Sequence, residues 1–385
     1  MNLNDVIYLD NNATTPLDET VLAAMLPLLR EQFGNPASGH VLGRAARDAV
    51  ERSRGLVARL LGARSGEIVF TASATEANNL AISGLTAGHD PGRHVITTTL
   101  EHKSVAEPIR YLERIGRIRV TWLRPDPLGQ VHPDAVEAAW AADTHLVSIQ
   151  AANSVIHTLN PIADLAQICA ARGGLFHCDA TQWIGKLPID VDRLGIDALS
   201  LSAHKFYGPK GAGALYLGSR ALHAGLKPQI LGGGQESGLR SGTLNVPAIV
   251  GLGVASQVAM DRQESDAVRT AQLAHRLFDA LTNRLPGVTL NGHPRERLPG
   301  SLHLTLEGVD AKGLIASVPQ VALSDGSACE TDRDPDYVVK AIGRPEAAHH
   351  SIRCQVGRNT RPEEIDRAIE LLVAGIGRMR AFSEG

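Results

Sequence analysis

The chain has 385 residues, of which 43% are hydrophobic and 21% are charged, which is typical of a globular protein with material for a large core. Its net charge of -3 and the lack of a Lys and Arg cluster argue against nucleic acid as a direct partner. The amino terminus MNLNDVIYLD lacks the pattern of a secretory signal, and no run of about 18 apolar residues predicts a membrane span, so we expect a cytoplasmic location.

Short apolar runs alternate with helical patterns through the first part of the chain. EIVFTAS precedes TEANNLAISGL, HVITTTLEH precedes SVAEPIRYLERIG, and HLVSIQAAN precedes IADLAQICAARGG, which is followed by LFHCDATQ. This alternation predicts an α/β fold with a mostly parallel, doubly wound sheet. Several of the runs end in polar residues, and ligands bind outside the carboxyl ends of the strands in such sheets. We therefore expect a cofactor platform there.

The pattern changes after about Val246, where a long helical stretch is followed by the short strands GVTLNG, SLHLTLEG, QVALSDGSAC and HSIRCQVG. We interpret this part as a smaller α+β domain. The predicted division is a large domain over residues 15–250 and a small domain made of residues 1–14 and 251–385.

Lys205 follows an apolar strand and precedes a glycine-rich return in the segment LSLSAHKFYGPKGAGALYLG. A lysine that forms a Schiff base with an aldehyde cofactor needs such a rigid approach and small neighbours. The alternative is a surface lysine at a strand end. Asp179, at the end of FHCD, is the second residue that a pyridoxal site uses, because a carboxylate keeps the pyridine nitrogen protonated.

Two other sets of residues have both a functional and a structural interpretation. Ala74 and Thr75 start a helix whose backbone N–H groups suit a phosphate, or Thr75 belongs to a plain capping box. His177, Cys178 and Asp179 could cap a strand; adjacent strand residues point to opposite faces, so we predict no metal site there.

The four cysteines are Cys169, Cys178, Cys329 and Cys354, and they show neither CxxC spacing nor the density of a disulfide scaffold. Free thiols in a reducing compartment are therefore expected, without a structural zinc site. Cys329 differs from the others because it lies among small residues in ALSDGSACE, a composition typical of a mobile turn. It is either a nucleophile or an incidental loop thiol.

These segments together resemble the cysteine desulfurases of the NifS/IscS type, in the class V aminotransferase family of fold-type I pyridoxal-phosphate enzymes. The similar segments follow one another through almost the whole chain: YLDNNATTP, FGNPAS, TEANNLAI, LEHKSV, DATQWIGKLPIDV, SAHKFYGPKGAGALY, GGGQESGLRSGT, SDGSAC and SIRCQVGR. The resemblance implies a seven-stranded sheet in the large domain and the cofactor pyridoxal 5'-phosphate. It also implies that L-cysteine is converted to L-alanine and a persulfide.

The resemblance assigns a role to each matching residue. Lys205 would be the Schiff-base lysine and also move protons, and Cys329 would be the nucleophile that takes the sulfur. His102 would stack on the ring and shuttle protons. The other cofactor-binding residues would be Asp179 at the pyridine nitrogen, Gln182 at the ring hydroxyl, Ala74, Thr75, Ser202, Ala203 and His204 at the phosphate, and Thr243 from the other subunit of a homodimer. Asn153 and Arg353 would hold the substrate carboxylate, and Asn153 would also border the cofactor.

The resemblance also has departures and alternatives. Where relatives commonly have Asn-Asn-Glu-x-Gly, this chain has NSVIH at residues 153–157, which lacks the carboxylate and the glycine beside the substrate end of the cofactor. His157 is either a loop histidine or a new proton donor. The sulfur acceptor, a scaffold or carrier protein for iron-sulfur clusters or another thio-cofactor, leaves no mark in the sequence. A selenocysteine or cystine lyase, an aminotransferase, and a non-catalytic sulfur-transfer protein are alternatives. Lys205, Asp179 and His102 argue against the last.

Overall fold

The computed structural model describes residues 5–87, 91–326 and 337–383, and the predicted nucleophile Cys329 lies outside these ranges. The described strands are β1 (Ile7–Tyr8), β2 (Ile68–Thr71), β3 (Arg93–Thr98), β4 (Ile118–Leu123), β5 (Thr144–Ser148), β6 (Leu175–Asp179), β7 (Ala198–Ser202), β8 (Gly213–Leu217), β9 (Val288–Leu290), β10 (Ser301–Leu306), β11 (Val321–Ala322) and β12 (Ser351–Gln355). The described helices are α1 (Glu19–Arg30), α2 (Val41–Leu61), α3 (Ala74–Ala87), α4 (Lys103–Arg114), α5 (Pro133–Ala139), α6 (Ile162–Arg172), α7 (Val191–Leu194), α8 (Ser219–His223), α9 (Val246–Arg284), α10 (Ala311–Ser317), α11 (Tyr337–Ala341) and α12 (Pro362–Ser383).

A seven-stranded sheet forms the centre of the molecule, with the strand order β2-β8-β7-β6-β5-β3-β4. Strand β8 is antiparallel to both of its neighbours, and every other pair is parallel. The predicted mostly parallel α/β fold is therefore confirmed. Because all the strands except β8 run the same way, their carboxyl ends lie along one edge of the sheet, where open α/β sheets bind ligands.

The central strands are buried on both faces, which explains why they appear in the sequence as continuous apolar runs. Every residue of β5, β6, β7 and β8 is buried. Helices supply the cover: α3 contributes Leu80, Ile82 and Leu85 to one apolar cluster, and α2 contributes Val50 and Val57 to another. Among the described helices, none is both long and apolar enough to cross a membrane.

The second part of the molecule has its own sheet and core. Strands β12, β10 and β9 form an antiparallel sheet, and the short strands β1 and β11 pair in parallel. Helix α9, 39 residues long, joins the two parts: its residues Val246 to Ala259 pack in the core of the large sheet, and Leu273 to Leu281 pack in the second core. The domain bounds drawn from the sequence remain a prediction.

Candidate active site

A cavity of about 160 Å³ lies at the carboxyl ends of the large sheet. The residues that follow β2, β3, β5, β6 and β7 meet there, as the strand-end argument predicts. The lining residues are Asn12, Ala13, Ser73, Ala74, Thr75, His102, Ser104, Gln150, Ala152, Ser154, Asp179, Thr181, Gln182, Ser202, His204, Lys205 and Arg353.

Lys205 sits on a tight turn directly after β7, and its amine points at the amino-terminal segment of the chain. The Nζ atom donates to the backbone oxygens of Asn12 at 2.6 Å and Ala13 at 2.9 Å. The turn is held in place by Thr15, whose N–H donates to the oxygen of His204 at 2.9 Å. The glycine-rich return is required here because a Cβ on Gly208 would lie 2.7 Å from the Ala203 side chain. The position of the Lys205 amine is thus fixed by backbone groups.

Asp179 ends the central strand β6 and presents its carboxylate to the cavity. Its Oδ2 accepts a hydrogen bond from Asn78 Nδ2 at 2.8 Å, and its Oδ1 accepts from the backbone N–H of Thr181 at 3.0 Å. Cys178 belongs to the core on the other face of the strand, as strand alternation predicts. No group of metal-ligating side chains occurs within the described ranges.

His102 is the N-cap residue of helix α4, and this position fixes its ring. The Nδ1 atom accepts from the backbone N–H of Ser104 at 3.1 Å and lies 2.7 Å from the Ser104 hydroxyl. Because Nδ1 is an acceptor, the neutral ring carries its proton on Nε2. Ser104 Oγ also accepts from Asn78 Nδ2 at 2.8 Å, so Asn78 links His102 to Asp179.

The first turn of α3 borders the cavity with Ser73, Ala74 and Thr75. The capping residue is Ser73, whose Oγ accepts from the N–H of Glu76 at 3.2 Å; the capping interpretation of Thr75 is therefore wrong. First-turn N–H groups have no acceptor within their own helix, so this end can bind an anion. Strand β8 approaches closely, since a Cβ on Gly213 would lie 2.7 Å from the Ser73 backbone carbon.

The remaining predicted cofactor residues fall into two groups. Gln182, Ser202 and His204 line the cavity, and Gln182 Nε2 donates to the oxygen of Asn12 at 3.1 Å. Burial and the charge of Lys205 lower the pKa of His204 to about 4, so its ring is neutral. Ala203 is fully buried in the core and is not a lining residue; its N–H already donates to the oxygen of Ala212 at 3.0 Å.

Arg353, on β12, reaches the cavity from the second part of the molecule. Its Nη2 donates to Asp10 Oδ1 at 2.9 Å, and its Nη1 donates to the oxygen of Ser154 at 3.1 Å. The Nε atom is buried and has no hydrogen-bond partner within the described part of the chain. The guanidinium keeps unused donors at the cavity wall, where a carboxylate could accept them.

Asn153 does not line the cavity. Its Oδ1 accepts from the backbone N–H groups of Val155 at 2.8 Å and Ile156 at 2.9 Å, and its Nδ2 donates to the oxygen of Leu100 at 3.2 Å. The side chain therefore shapes the turn that carries the cavity wall. Its predicted contacts with cofactor and substrate stay a prediction.

Thr243 lies away from this cavity. It borders a separate opening of about 600 Å³, together with Arg54, Gln235 and Glu236. Its predicted role, to reach the phosphate of another subunit, does not require it to line the cavity of its own chain. The role itself stays a prediction.

The three described cysteines are buried and free. Burial raises the pKa of Cys169 and Cys354 to about 12 and holds the pKa of Cys178 well above its usual value. The thiolate is the reactive form of cysteine, so these three side chains are poor nucleophiles. They act as small apolar core residues.

His157 is a loop histidine, as one of the two interpretations of the sequence predicts, and it does not line the cavity. It is fully buried with φ +66°, in the left-handed region that favours glycine. Its Nδ1 lies 2.9 Å from Asn12 Nδ2, so the ring nitrogen accepts. Burial and nearby Arg297 and Arg353 hold its pKa well below the usual value, so the ring is neutral. His157 is therefore not placed to donate a proton to a substrate in the cavity.

Several residues of the site escaped the sequence reasoning, and Asn12, Asn78 and Glu101 are three of them that hold other groups of the site in place. Glu101 is fully buried, and its Oε1 accepts from the N–H of Gln150 at 2.8 Å. Burial, with a contribution from Asp179, raises its pKa well above the usual value, which favours the protonated form of the carboxyl. Their signal was present, since all three stand in segments of the ordered series described above, but nothing local distinguishes them from their neighbours.

The whole chain is similar to known proteins. The model of the family described as aminotransferase class-V matches residues 7–368. The chain belongs to this family. Cysteine desulfurase IscS of Anaeromyxobacter dehalogenans is 44% identical over 381 residues, which cover 98% of this chain and 94% of the relative. The family resemblance noted in the sequence is thereby confirmed.

Solved structures of other proteins are similar to this chain in both fold and sequence. A NifS-like protein has a TM-score of 0.91 and 34% identity, with 97% of this chain and 100% of that chain covered. A structure of SspA in complex with cysteine has a TM-score of 0.82 and 37% identity, with 91% and 99% covered. Pyridoxal phosphate is the general cofactor of enzymes in this family.

Proposed function

We propose that this chain is a pyridoxal-phosphate-dependent cysteine desulfurase that removes sulfur from L-cysteine, releases L-alanine and holds the sulfur as a persulfide on Cys329. The observation that carries the proposal is that Lys205, Asp179 and His102 line one cavity at the carboxyl ends of the large sheet. Full-length similarity to cysteine desulfurases supports the same activity.

The residues of the cavity fit pyridoxal phosphate. Lys205 would hold its aldehyde carbon, Asp179 its pyridine nitrogen, Gln182 its ring hydroxyl and His102 its ring face. The first turn of α3, with Ser202 and His204, would hold the phosphate. When bound, the cofactor supplies an electron sink for the pair left on the substrate carbon.

Asp179 is suited to a protonated nitrogen because its carboxylate is fixed by two donors and still faces the cavity. The charge-assisted bond that results is stronger than a neutral one. Asn78 and the Thr181 N–H supply the two fixing hydrogen bonds. Because the carboxylate is already fixed, little side-chain conformational entropy is lost when the cofactor ring binds.

L-cysteine suits the positively charged wall of the cavity, where Arg353 offers donors for the substrate carboxylate. SspA, 37% identical to this chain, has been solved in complex with cysteine. The Asp10 carboxylate holds the Arg353 guanidinium at 2.9 Å and so orients it before substrate arrives. Bidentate binding would use the donors that Asp10 and Ser154 leave available.

Cys329 is the proposed sulfur acceptor because the other three thiols are buried with raised pKa values. Its thiolate attacks the sulfur of the substrate, the carbon-sulfur bond breaks, and a sulfur-sulfur bond forms. The carbon then takes up a proton, and alanine leaves. Lys205 delivers protons at its Nζ atom, and His102 carries a second exchangeable proton on Nε2.

The proposed partners are a second copy of the chain and a sulfur-acceptor protein. Apolar side chains that are unusually exposed support the homodimer: Phe33 is 75% exposed, Val41 66% and Leu231 80%. Leu231 shortly precedes the GGGQESGLRSGT segment, which contains Thr243. A reducing, cytoplasmic location is proposed from the free buried thiols.

The test is to measure alanine and sulfide from L-cysteine with a thiol reductant while recording the visible absorbance of bound cofactor. Cys329→Ala should lose activity by about 100-fold or more while keeping the absorbance, because the nucleophile is gone. Lys205→Ala should lose the absorbance as well. Cys169→Ala, which removes a buried thiol, should retain activity.

Two outcomes contradict the proposal. Equal turnover by Cys329→Ala and the wild type favours a selenocysteine or cystine lyase, which needs no acceptor thiol. A colourless protein that cannot be reconstituted with pyridoxal phosphate indicates a non-catalytic sulfur-transfer protein.

A further inference from the structure

Thr15 holds the chain on both sides of Lys205 through a single hydroxyl group. Its Oγ1 donates to the backbone oxygen of His204 at 3.0 Å and accepts from the backbone N–H of Tyr207 at 2.7 Å. These are the residue immediately before Lys205 and the second residue after it. A hydroxyl can donate and accept at one atom, which neither a carboxylate nor an ammonium group can do. Thr15 is 5% exposed and does not line the main cavity, so its side chain takes no part in the reaction proposed above.

The contact to Tyr207 matters because the backbone of Tyr207 is strained. Its φ is +69°, in the left-handed region that disfavours residues with a Cβ atom. Such a conformation persists only where the surrounding structure holds it. Besides the bond to Thr15, the Asp18 N–H donates to the Tyr207 oxygen at 3.0 Å, and the Arg358 N–H donates to the Tyr207 hydroxyl at 2.5 Å. Of these three bonds, the one to Thr15 lies nearest along the chain to Lys205.

The position of the Lys205 amine depends on this turn because the lysine borders open space. Lys205 lines the main cavity and also a small inner cavity of about 30 Å³, which Thr15 and Tyr207 line as well. A movement of the turn would lengthen the bonds from Nζ to the oxygens of Asn12 at 2.6 Å and Ala13 at 2.9 Å. The two cavities leave space for such a movement.

We propose that Thr15 is a positioning residue of this site, whose hydroxyl fixes the turn that carries Lys205 and thereby the direction in which the amine points. The two bonds of the hydroxyl go to backbone atoms on either side of the lysine. The consequence of the proposal rests on the proposed function, because it is that Lys205 meets the aldehyde of pyridoxal phosphate in the correct geometry. The positioning itself can be measured without the cofactor.

Two variants of Thr15 isolate the hydroxyl, and a third variant is the control. Thr15→Val removes the hydroxyl but keeps a similar shape and the backbone N–H that donates to the His204 oxygen at 2.9 Å. Thr15→Ser keeps the hydroxyl. Thr86→Val is the control, because Thr86 is also 5% exposed and donates to the Ile82 oxygen at 2.8 Å, but it lines neither cavity.

The deciding measurement labels cofactor-free protein with acetic anhydride and compares Lys205 with the exposed Lys312 in the same sample by peptide mass spectrometry. Without the Thr15 hydroxyl, the Lys205 amine should spend less time bonded to the two backbone oxygens. We expect its labelling relative to Lys312 to rise about 3- to 10-fold in Thr15→Val, which is the effect of about one hydrogen bond. Thr15→Ser and Thr86→Val should keep the wild-type ratio.

A second measurement follows the attachment of pyridoxal phosphate to cofactor-free protein by the growth of its visible absorbance. Attachment should slow by a similar factor in Thr15→Val and recover in Thr15→Ser, because the amine and the aldehyde must meet in one geometry. Attachment by Thr15→Val at the wild-type rate would contradict the proposed positioning.

Equal labelling of Lys205 in the wild type and Thr15→Val overturns the proposal, and so does a Thr15→Ser ratio that matches that of Thr15→Val. A ratio that rises equally in Thr86→Val indicates a general loosening of the fold and overturns it as well. If Thr15→Val does not fold, Thr15→Ala decides in its place, since it also lacks the hydroxyl. A wild-type protein that never binds pyridoxal phosphate contradicts the proposed function alone, because the labelling needs no cofactor.

Discussion

At the scale of single residues, Asn78 connects two functional groups of the site. It is fully buried on α3, and its Nδ2 donates both protons, one to Asp179 and one to Ser104, each at 2.8 Å. The Ser104 hydroxyl therefore has its own proton available for His102 Nδ1, at 2.7 Å. One carboxamide thus orients the carboxylate predicted to hold the pyridine nitrogen and the histidine predicted to stack on the ring.

Asn78→Ala should weaken both cofactor retention and turnover. Removing the carboxamide takes one donor from the buried Asp179 Oδ2 and one from the buried Ser104 Oγ, so the two groups are less well oriented. We expect kcat/KM to fall by about 10- to 100-fold, which corresponds to about 1.4–2.7 kcal/mol of transition-state stabilisation. Alanine formation and retention of visible absorbance on dialysis measure the two effects. The control is Asn79→Ala, whose side chain bonds only the Thr75 oxygen in the described contacts. Matching behaviour of the two variants would argue against this role.

At the scale of elements, the short helix α11 rests on the loops that form the cavity wall. Val338, with Ile342 just beyond the helix, packs in an apolar cluster with Leu100, Val155 and Ile156. The hydroxyl of Tyr337 also donates to the Glu101 oxygen at 3.3 Å. Val155 stands where relatives commonly have a glutamate, so packing against α11 gives this departure a structural reason.

Val155→Glu, which restores the carboxylate, should destabilise α11. An unpaired charge in this apolar cluster costs about 3 kcal/mol or more, unless the helix moves away. Hydrogen exchange of residues 337–342 should become faster, and the thermal unfolding temperature should fall. Ser154→Asn is the control, because Ser154 contacts Arg353 through its backbone oxygen. Unchanged exchange in Val155→Glu would show that α11 does not depend on the cluster.

At the scale of the whole molecule, the fold buries histidines in neutral form. His177 lies between the hydroxyls of Ser148 and Ser200, and burial lowers its pKa to about 4. Burial likewise lowers the pKa of His303 to about 3, and it holds that of His157 well below the usual value. The unfolded chain binds protons at these histidines below about pH 6.5, while the folded chain does not.

The free energy of unfolding should therefore fall as the pH falls from about 6.5 to 4. For His177 alone, the full difference in pKa corresponds to about 3 kcal/mol. Glu101 and Asp197 act in the opposite direction, because their raised pKa values let the folded state bind a proton first, but five histidines have lowered pKa values against these two carboxyls. Urea unfolding at pH 7.5, 6 and 5 measures the slope.

His303→Gln should reduce this slope, whereas His275→Gln should not, because His275 is exposed on α9. Stability that is constant or rises toward pH 5 would contradict the account.

The long helix α9 shows which features of the fold can be predicted from the sequence and which cannot. Its start at Val246 was predicted, because the pattern of apolar residues changes there. That its two halves pack in different cores depends on the surfaces that meet them, so a local pattern cannot reveal it.

The sequence by itself determined the mostly parallel sheet, since strands buried on both faces must be continuous apolar runs. It also predicted that Lys205, Asp179 and His102 would meet, because the ends of parallel strands share an edge. Only the tertiary structure decided which groups hold them: the Asn12 oxygen for Lys205, Asn78 for Asp179, and Asp10 for Arg353. Each of these pairs joins residues more than one hundred positions apart, and such contacts are set by strand order and packing rather than by local pattern.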